Sequence, residues 1–211
     1  MSIVGRSKKK EKELLAWDEW LRKKLPTKVE QDRGLKLEDM EIVMNWKLTK
    51  GKFRPLMGQL RKNSNQQVQQ VTGEVMKMLG DSAGNKKNVT KLKDVMNKLC
   101  ELKGIGPATA SALLAHIDPE RFPFMSDEAL EGCGMKREYT LATYLSFAEA
   151  LSSKAKALGG EWNAETVGRA MWARAMIHAH GNDMKEEDGE GKREDEQEDE
   201  ANAKRKKRKR K

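Results

Sequence analysis

The chain has 211 residues, of which 37% are hydrophobic and 36% charged, and its two cysteines are Cys100 and Cys133. That allows one ordinary domain with tails and a modest core; it rules out a four-thiolate zinc or iron–sulfur site and argues against a disulfide scaffold. No apolar run is long enough to span a membrane and the N-terminus has no secretory pattern, so a reduced, intracellular protein is expected. The net charge is +9, while residues 181–211 hold 11 basic and 11 acidic side chains, so the whole excess belongs to residues 1–180. Such a balance favours an anionic partner, and nucleic acid is the commonest soluble one.

Residues 1–10 form a basic arm ending in Arg6-Ser-Lys-Lys-Lys10 and are expected to lack fixed structure. From Glu11 to Leu25, apolar residues at Leu14, Leu15, Trp17, Trp20, Leu21 and Leu25 predict an amphipathic helix ended by Pro26. A second helix spans Leu37 to Leu48, with Met40, Ile42, Val43, Met44 and Trp46 on its inner side. Basic residues then interleave with Trp46 and Phe53 as far as Pro55. They are either phosphate contacts beside a stacking surface, or solvated neighbours of two core aromatics.

Asn63-Ser64-Asn65 breaks the helical period and supplies an N-cap for a helix over 66–79 that turns Val68, Val71, Val75, Met78 and Leu79 inward. Residues 80–88 are a loop, and a helix over 89–102 presents Leu92, Val95, Met96 and Leu99 on one face. Past the hairpin described below, Asp118-Pro-Glu-Arg-Phe-Pro123 is a turn and Ser126 caps a new helix. A long helix spans Glu138 to Leu158, with Leu141, Tyr144, Leu145, Ala148, Leu151 and Leu158 as its core side, and Gly159-Gly160 stops it. Asn163 caps a last helix that ends near His178 and His180. These histidines and His116 make no metal-binding constellation. No segment alternates apolar and polar residues, so the fold class is all-α.

The stretch around which the rest is arranged is Leu99 to Ala115. Gly104 and Gly106 bracket Ile105 and permit positive φ and close approach, Pro107 suits a first helical turn, and Ala108, Thr109, Ala110, Ser111 and Ala112 are small enough for tight helix packing. This is the pattern of a helix-hairpin-helix. Unpaired N–H groups at a helix N-terminus, reinforced by the helix dipole, accept a phosphate without reading any base. The expected DNA-binding residues are Lys103, Gly104, Ile105, Gly106, Ala108 and Thr109, with Lys103 adding a charge at the tip. A plain helix–helix corner that binds nothing satisfies the two glycines as well.

The segment Leu102-Lys-Gly-Ile-Gly106 followed by Phe122-Pro-Phe-Met-Ser-Asp127 resembles the helix-hairpin-helix DNA glycosylase superfamily, closely over 99–130 and in general character beyond. It is also similar to a group of eukaryotic proteins of this architecture. The resemblance implies that Asp127 is the catalytic carboxylate, stabilising positive charge on the sugar as a base departs and assisting the incoming nucleophile. A helix N-terminus suits a carboxylate because the dipole favours negative charge there; Glu128 competes for any acid or base role. Where bifunctional members carry a lysine nucleophile, two positions after the second hairpin glycine, this chain has Ala108. Strand cleavage from that matched position is therefore not expected. No organic cofactor is expected, and the resemblance admits at most a monovalent cation at the hairpin.

The tail from Gly181 is acid-rich to Glu200 and ends in the eight basic residues Lys204 to Lys211. It is expected to be disordered, and its basic end reads as a nuclear import signal or a non-specific nucleic-acid clamp. The expectation is a monomeric, nuclear, double-stranded-DNA-binding protein with no membrane association and with the tail open to protein partners. Its 11–180 domain is a monofunctional DNA N-glycosylase in one reading. It is a non-catalytic DNA-binding or adaptor module of the same fold in a second, and a helical protein-interaction domain in a third.

Overall fold

The structure, a computed structural model, describes residues 8–32, 34–51, 54–80 and 89–179. Of the basic arm expected to lack structure over 1–10, Lys8 to Lys10 are helical; the residues before 8, the loop residues 81–88, Phe53, His180 and the charged tail lie outside the described residues. The described chain is mostly helical and holds no strand, in keeping with the all-α class. The described residues fall into two compact units: those up to Trp172 belong to the larger, and residues 173–179, which are helical, belong to the smaller.

The larger unit begins with α1 (Lys8–Glu19), a π turn (Trp20–Lys24) and α2 (Leu25–Gln31). Pro26 does not end the first helix. It occupies the first turn of α2, where its missing N–H is tolerated, and the Leu25 N–H reaches back to the Trp20 carbonyl across the π turn. The chain therefore stays helical through Gln31, with Leu21 and Leu25 fully buried and Leu15, expected on the apolar face, 64% exposed.

The remaining helices are α3 (Leu37–Lys50), α4 (Met57–Leu60), α5 (Asn65–Gly80), α6 (Val89–Leu99), α7 (Pro107–Ile117), α8 (Asp127–Gly132) and α9 (Leu141–Leu158), followed by helical residues 164–172. The expected inner faces of α5 and α6 are buried at Val68, Val75, Val95, Met96 and Leu99. Two boundaries next to the site move. The helix entering the hairpin ends at Leu99 rather than Leu102, and α9 starts after a Thr140 N-cap rather than at Glu138, which leaves Tyr139 outside the helix. Leu158 is 47% exposed, because it is the last residue of α9 before Gly159 turns the chain away.

At the centre is α7, whose residues from Ala108 to Ala115 are all buried. It packs on α2, α3, α6 and α9. Its small first turns let these neighbours close in, while Leu113 and Leu114 are fully buried. Each such leucine contributes roughly 1.5–3 kcal/mol by leaving water. The central helix of the core is thus also the second helix of the hairpin, so the hairpin is held by the core itself.

Candidate nucleic-acid interface

The turn between α6 and α7 depends on Gly104, whose φ is +80°. A Cβ there would lie 2.9 Å from the Leu60 nitrogen and 3.1 Å from the Leu56 oxygen, so α4 backs directly onto the turn. Gly106 is different. It is the N-cap of α7 with ordinary extended φ of −112°, and a Cβ on it would meet nothing within 4 Å. Only one of the two glycines is required by the fold, and space beside the other lies open.

Asn63 closes the hairpin from α4's side. Its Nδ2 donates to the Lys103 carbonyl at 3.0 Å and to the Leu60 carbonyl at 2.7 Å, and its Oδ1 accepts from the Lys103 N–H at 2.9 Å. Asn63 therefore does not cap α5. That task falls to Ser64, which exchanges bonds with Gln67, while Asn65 Oδ1 accepts the Leu37 N–H. The amide of Lys103 is consumed by Asn63, that of Ile105 by Leu102 and that of Thr109 by Gly106. Among the described residues, the amides of Gly104, Gly106 and Ala108 bond to no acceptor. The Lys103 side chain is exposed, whereas Ile105, Ala108 and Thr109 are buried at 6%, 7% and 2% exposure.

Three side chains fix the extended segment that delivers Asp127. The Tyr144 hydroxyl donates to the Pro123 carbonyl, the Phe124 N–H donates to Glu165 Oε2 at 2.7 Å, and the Met125 N–H donates to Ser111 Oγ at 3.0 Å. Ser111 also donates to the Ala108 carbonyl, so a single hydroxyl ties the hairpin helix to the chain entering α8. Burial raises the Glu165 carboxyl above its usual range, offset by its bond from Phe124 and by Arg169, Lys50 and Arg22. Ser126 then caps α8 as expected, accepting the Ala129 N–H, and Asp127 opens the helix.

The hairpin and Asp127 meet in a cavity of about 360 Å³. Its lining includes Gly104 to Thr109 of the hairpin, Phe124 to Glu128, the cationic side chains Lys47, Lys50 and Arg54, and the aromatic residues Tyr139 and Trp172. The Tyr139 hydroxyl donates to Asp127 Oδ1, and Arg137 Nη1 stands 3.5 Å from Oδ2. Burial, and then the bond to Asp127, push the Tyr139 phenol up to about 12; the Arg54 guanidinium lies 5.5 Å over its ring.

Trp46 is not a stacking surface. It is 2% exposed and packs its ring against His116 and Phe124, with centroids 5.1 Å away in each case, while its Nε1 donates to Asp18. Nor are its lysine neighbours simply solvated. Lys50 Nζ sits 4.7 Å from the Trp46 ring and 4.2 Å from the Trp172 ring. Lys47 faces the cavity with no hydrogen bond or ion pair among the described residues. Burial lowers the pKa of both amines; Arg54 lowers that of Lys47 further and Asp127 partly restores it.

The sequence marked the hairpin, Ser126 and Asp127, and the structure brings them to one cavity; the Lys103 side chain is outside its lining. Lys47, Lys50, Arg54, Tyr139 and Trp172 came into the site unmarked or marked for another role. The only advance signal was the cluster of basic residues around Trp46. Among the described residues no three His, Cys, Asp or Glu side chains are placed to hold a metal ion. No family model, curated protein or solved structure matches the chain.

Proposed function

We propose that this chain is a nuclear, duplex-DNA-binding protein of helix-hairpin-helix glycosylase type, which receives an everted nucleotide in the cavity and releases its base by hydrolysis. The observation that carries the reading is the convergence, in one cavity, of free hairpin amides, cationic side chains and a carboxylate at a helix start. Phosphates seat on the amides of Gly106 and Ala108, and Lys103 at the tip adds a charge contact. Eversion costs a few kcal/mol, least for a damaged or mismatched base. Asp127 stabilises the positive charge that develops on the sugar and orients the attacking water. Tyr139 and Arg137 fix the carboxylate's orientation through its two oxygens.

A second reading, a DNA-binding module of the same fold without chemistry, draws on that same engagement of both Asp127 oxygens. Base release from a panel of damaged and mismatched duplexes separates the two, with alkali to reveal abasic sites. Release by the wild type that is lost in Asp127→Asn with duplex binding retained is the expected result. Salt-sensitive binding with no release from any duplex leaves the module.

A further inference from the structure

Ala108 offers no amine, yet the cavity contains one from a different helix. Lys47 and Lys50 stand three positions apart on α3, so both project towards the cavity, and they differ in what surrounds their nitrogens. Lys50 is clasped by two indole rings, and the face of an aromatic ring stabilises an ammonium. Lys47 has no ring, hydrogen bond or ion pair among the described residues, and shares the cavity lining with Arg54. A primary amine that is partly desolvated and crowded by cations spends more of its time as the free base, the form with a lone pair to give. The remaining charged or titratable groups of the lining are Asp127, Glu128 and Tyr139.

We propose that Lys47 is an amine nucleophile that condenses with the C1′ aldehyde of an abasic deoxyribose held in this cavity. The inference rests on the DNA-binding reading above. The Nζ lone pair adds to C1′ and the carbonyl oxygen takes up protons and departs as water, so amine, aldehyde and one proton give an iminium and one water. Loss of the C2′ proton to water moves that electron pair into a C2′–C3′ double bond and expels the 3′ phosphate. The base-free sugar is thus captured, and the strand is nicked slowly on its 3′ side. Asp127 lines the same cavity and acts electrostatically on Lys47, so its charge stabilises the iminium.

The test uses the full chain, a duplex carrying one abasic site, and sodium cyanoborohydride, which delivers hydride to C1′ and makes the link permanent. Proteolysis and mass spectrometry then locate the adduct. The expected adduct lies on Lys47, in the tryptic peptide covering 37–50, because the modified lysine resists cleavage. It is expected to fall to the background of a protein-free control in Lys47→Arg and Lys47→Met. An adduct on Lys50 or on tail lysines alone, or an undiminished yield in both variants, overturns the assignment. Fluorescence anisotropy on the same duplex without reductant separates the two levels of argument. Binding without a Lys47 adduct defeats this inference only, whereas neither binding nor adduct defeats the DNA-binding reading as well.

Discussion

Asn63 holds both backbone polar groups of Lys103, accepting its N–H at 2.9 Å and donating to its carbonyl at 3.0 Å. The two residues are 40 positions apart, and Asn63 is 4% exposed, so the contact is a buried clasp on the hairpin. Asn63→Ala removes these bonds and the side-chain bond to Leu60, leaving the part-buried Lys103 N–H and carbonyl without their partner, and is expected to cost about 1–3 kcal/mol. Urea denaturation measures the loss. Asn63→Asp is expected to be at least as damaging, since a carboxylate accepts but cannot donate to the carbonyls of Leu60 and Lys103.

The two hairpin glycines are expected to fail in different ways. Gly104→Ala forces a side chain into positive φ and against the backbone of α4, and should lower stability by about 1–3 kcal/mol. Gly106→Ala meets open space and should leave the melting temperature within a degree or two of wild type. On the DNA-binding reading the added methyl group stands where a phosphate approaches, and affinity for a duplex falls. Thermal melts and anisotropy on the two variants check this; equal loss of stability in both would refute the distinction.

Lys103 tests the electrostatic part of the reading alone. Its backbone is committed to Asn63, its side chain is exposed, and its amine enters no ion pair among the described residues. Lys103→Ala should therefore leave the fold unchanged while lowering the magnitude of the log–log salt slope of duplex binding by about 0.9, the value for one released counterion. An unchanged slope places the tip away from the phosphates.

The hairpin was legible because its chemistry is local. Pro107, Gly104 and the run of small residues after it each act within a turn or two, and Ser126 ahead of Asp127 is an N-cap whatever surrounds it. What helical periodicity misses is a polar group turned inward. Lys47 and Lys50 sit beside Trp46 on a face that reads as mixed, and only the packing of α3 on α7 decides that they point at a cavity. Tyr139 read as the first turn of a helix, and became a partner of Asp127 because Thr140 caps α9 one residue later. Pro26 read as a stop, since no sequence rule signals that a π turn will carry the helix past it.

His116 makes a prediction independent of any ligand. Its Nε2 is buried without a hydrogen-bond partner and its ring stands edge-on to Trp46 at 5.1 Å. Burial is the main cause that lowers its pKa from 6.5 to about 4; Arg22, Lys50 and Arg169 act in the same direction and Asp18 against them. The folded chain therefore keeps the ring neutral in a range where the unfolded chain protonates it. Between pH 6.5 and about 4 the unfolded state binds more protons, so stability falls as the pH falls, by at most ~3 kcal/mol from this group. Glu165 has the opposite effect, because burial raises its carboxyl and the folded state takes up that proton first. The effect of His116 is thus read as a difference. His116→Leu, with an apolar side chain on the same helical turn, should lack this acid-side loss, so its stability relative to wild type rises steadily from pH 7 to pH 4. Urea unfolding of both proteins across that range measures the difference. A difference that stays constant with pH would mean that His116 titrates alike in the folded and unfolded chains.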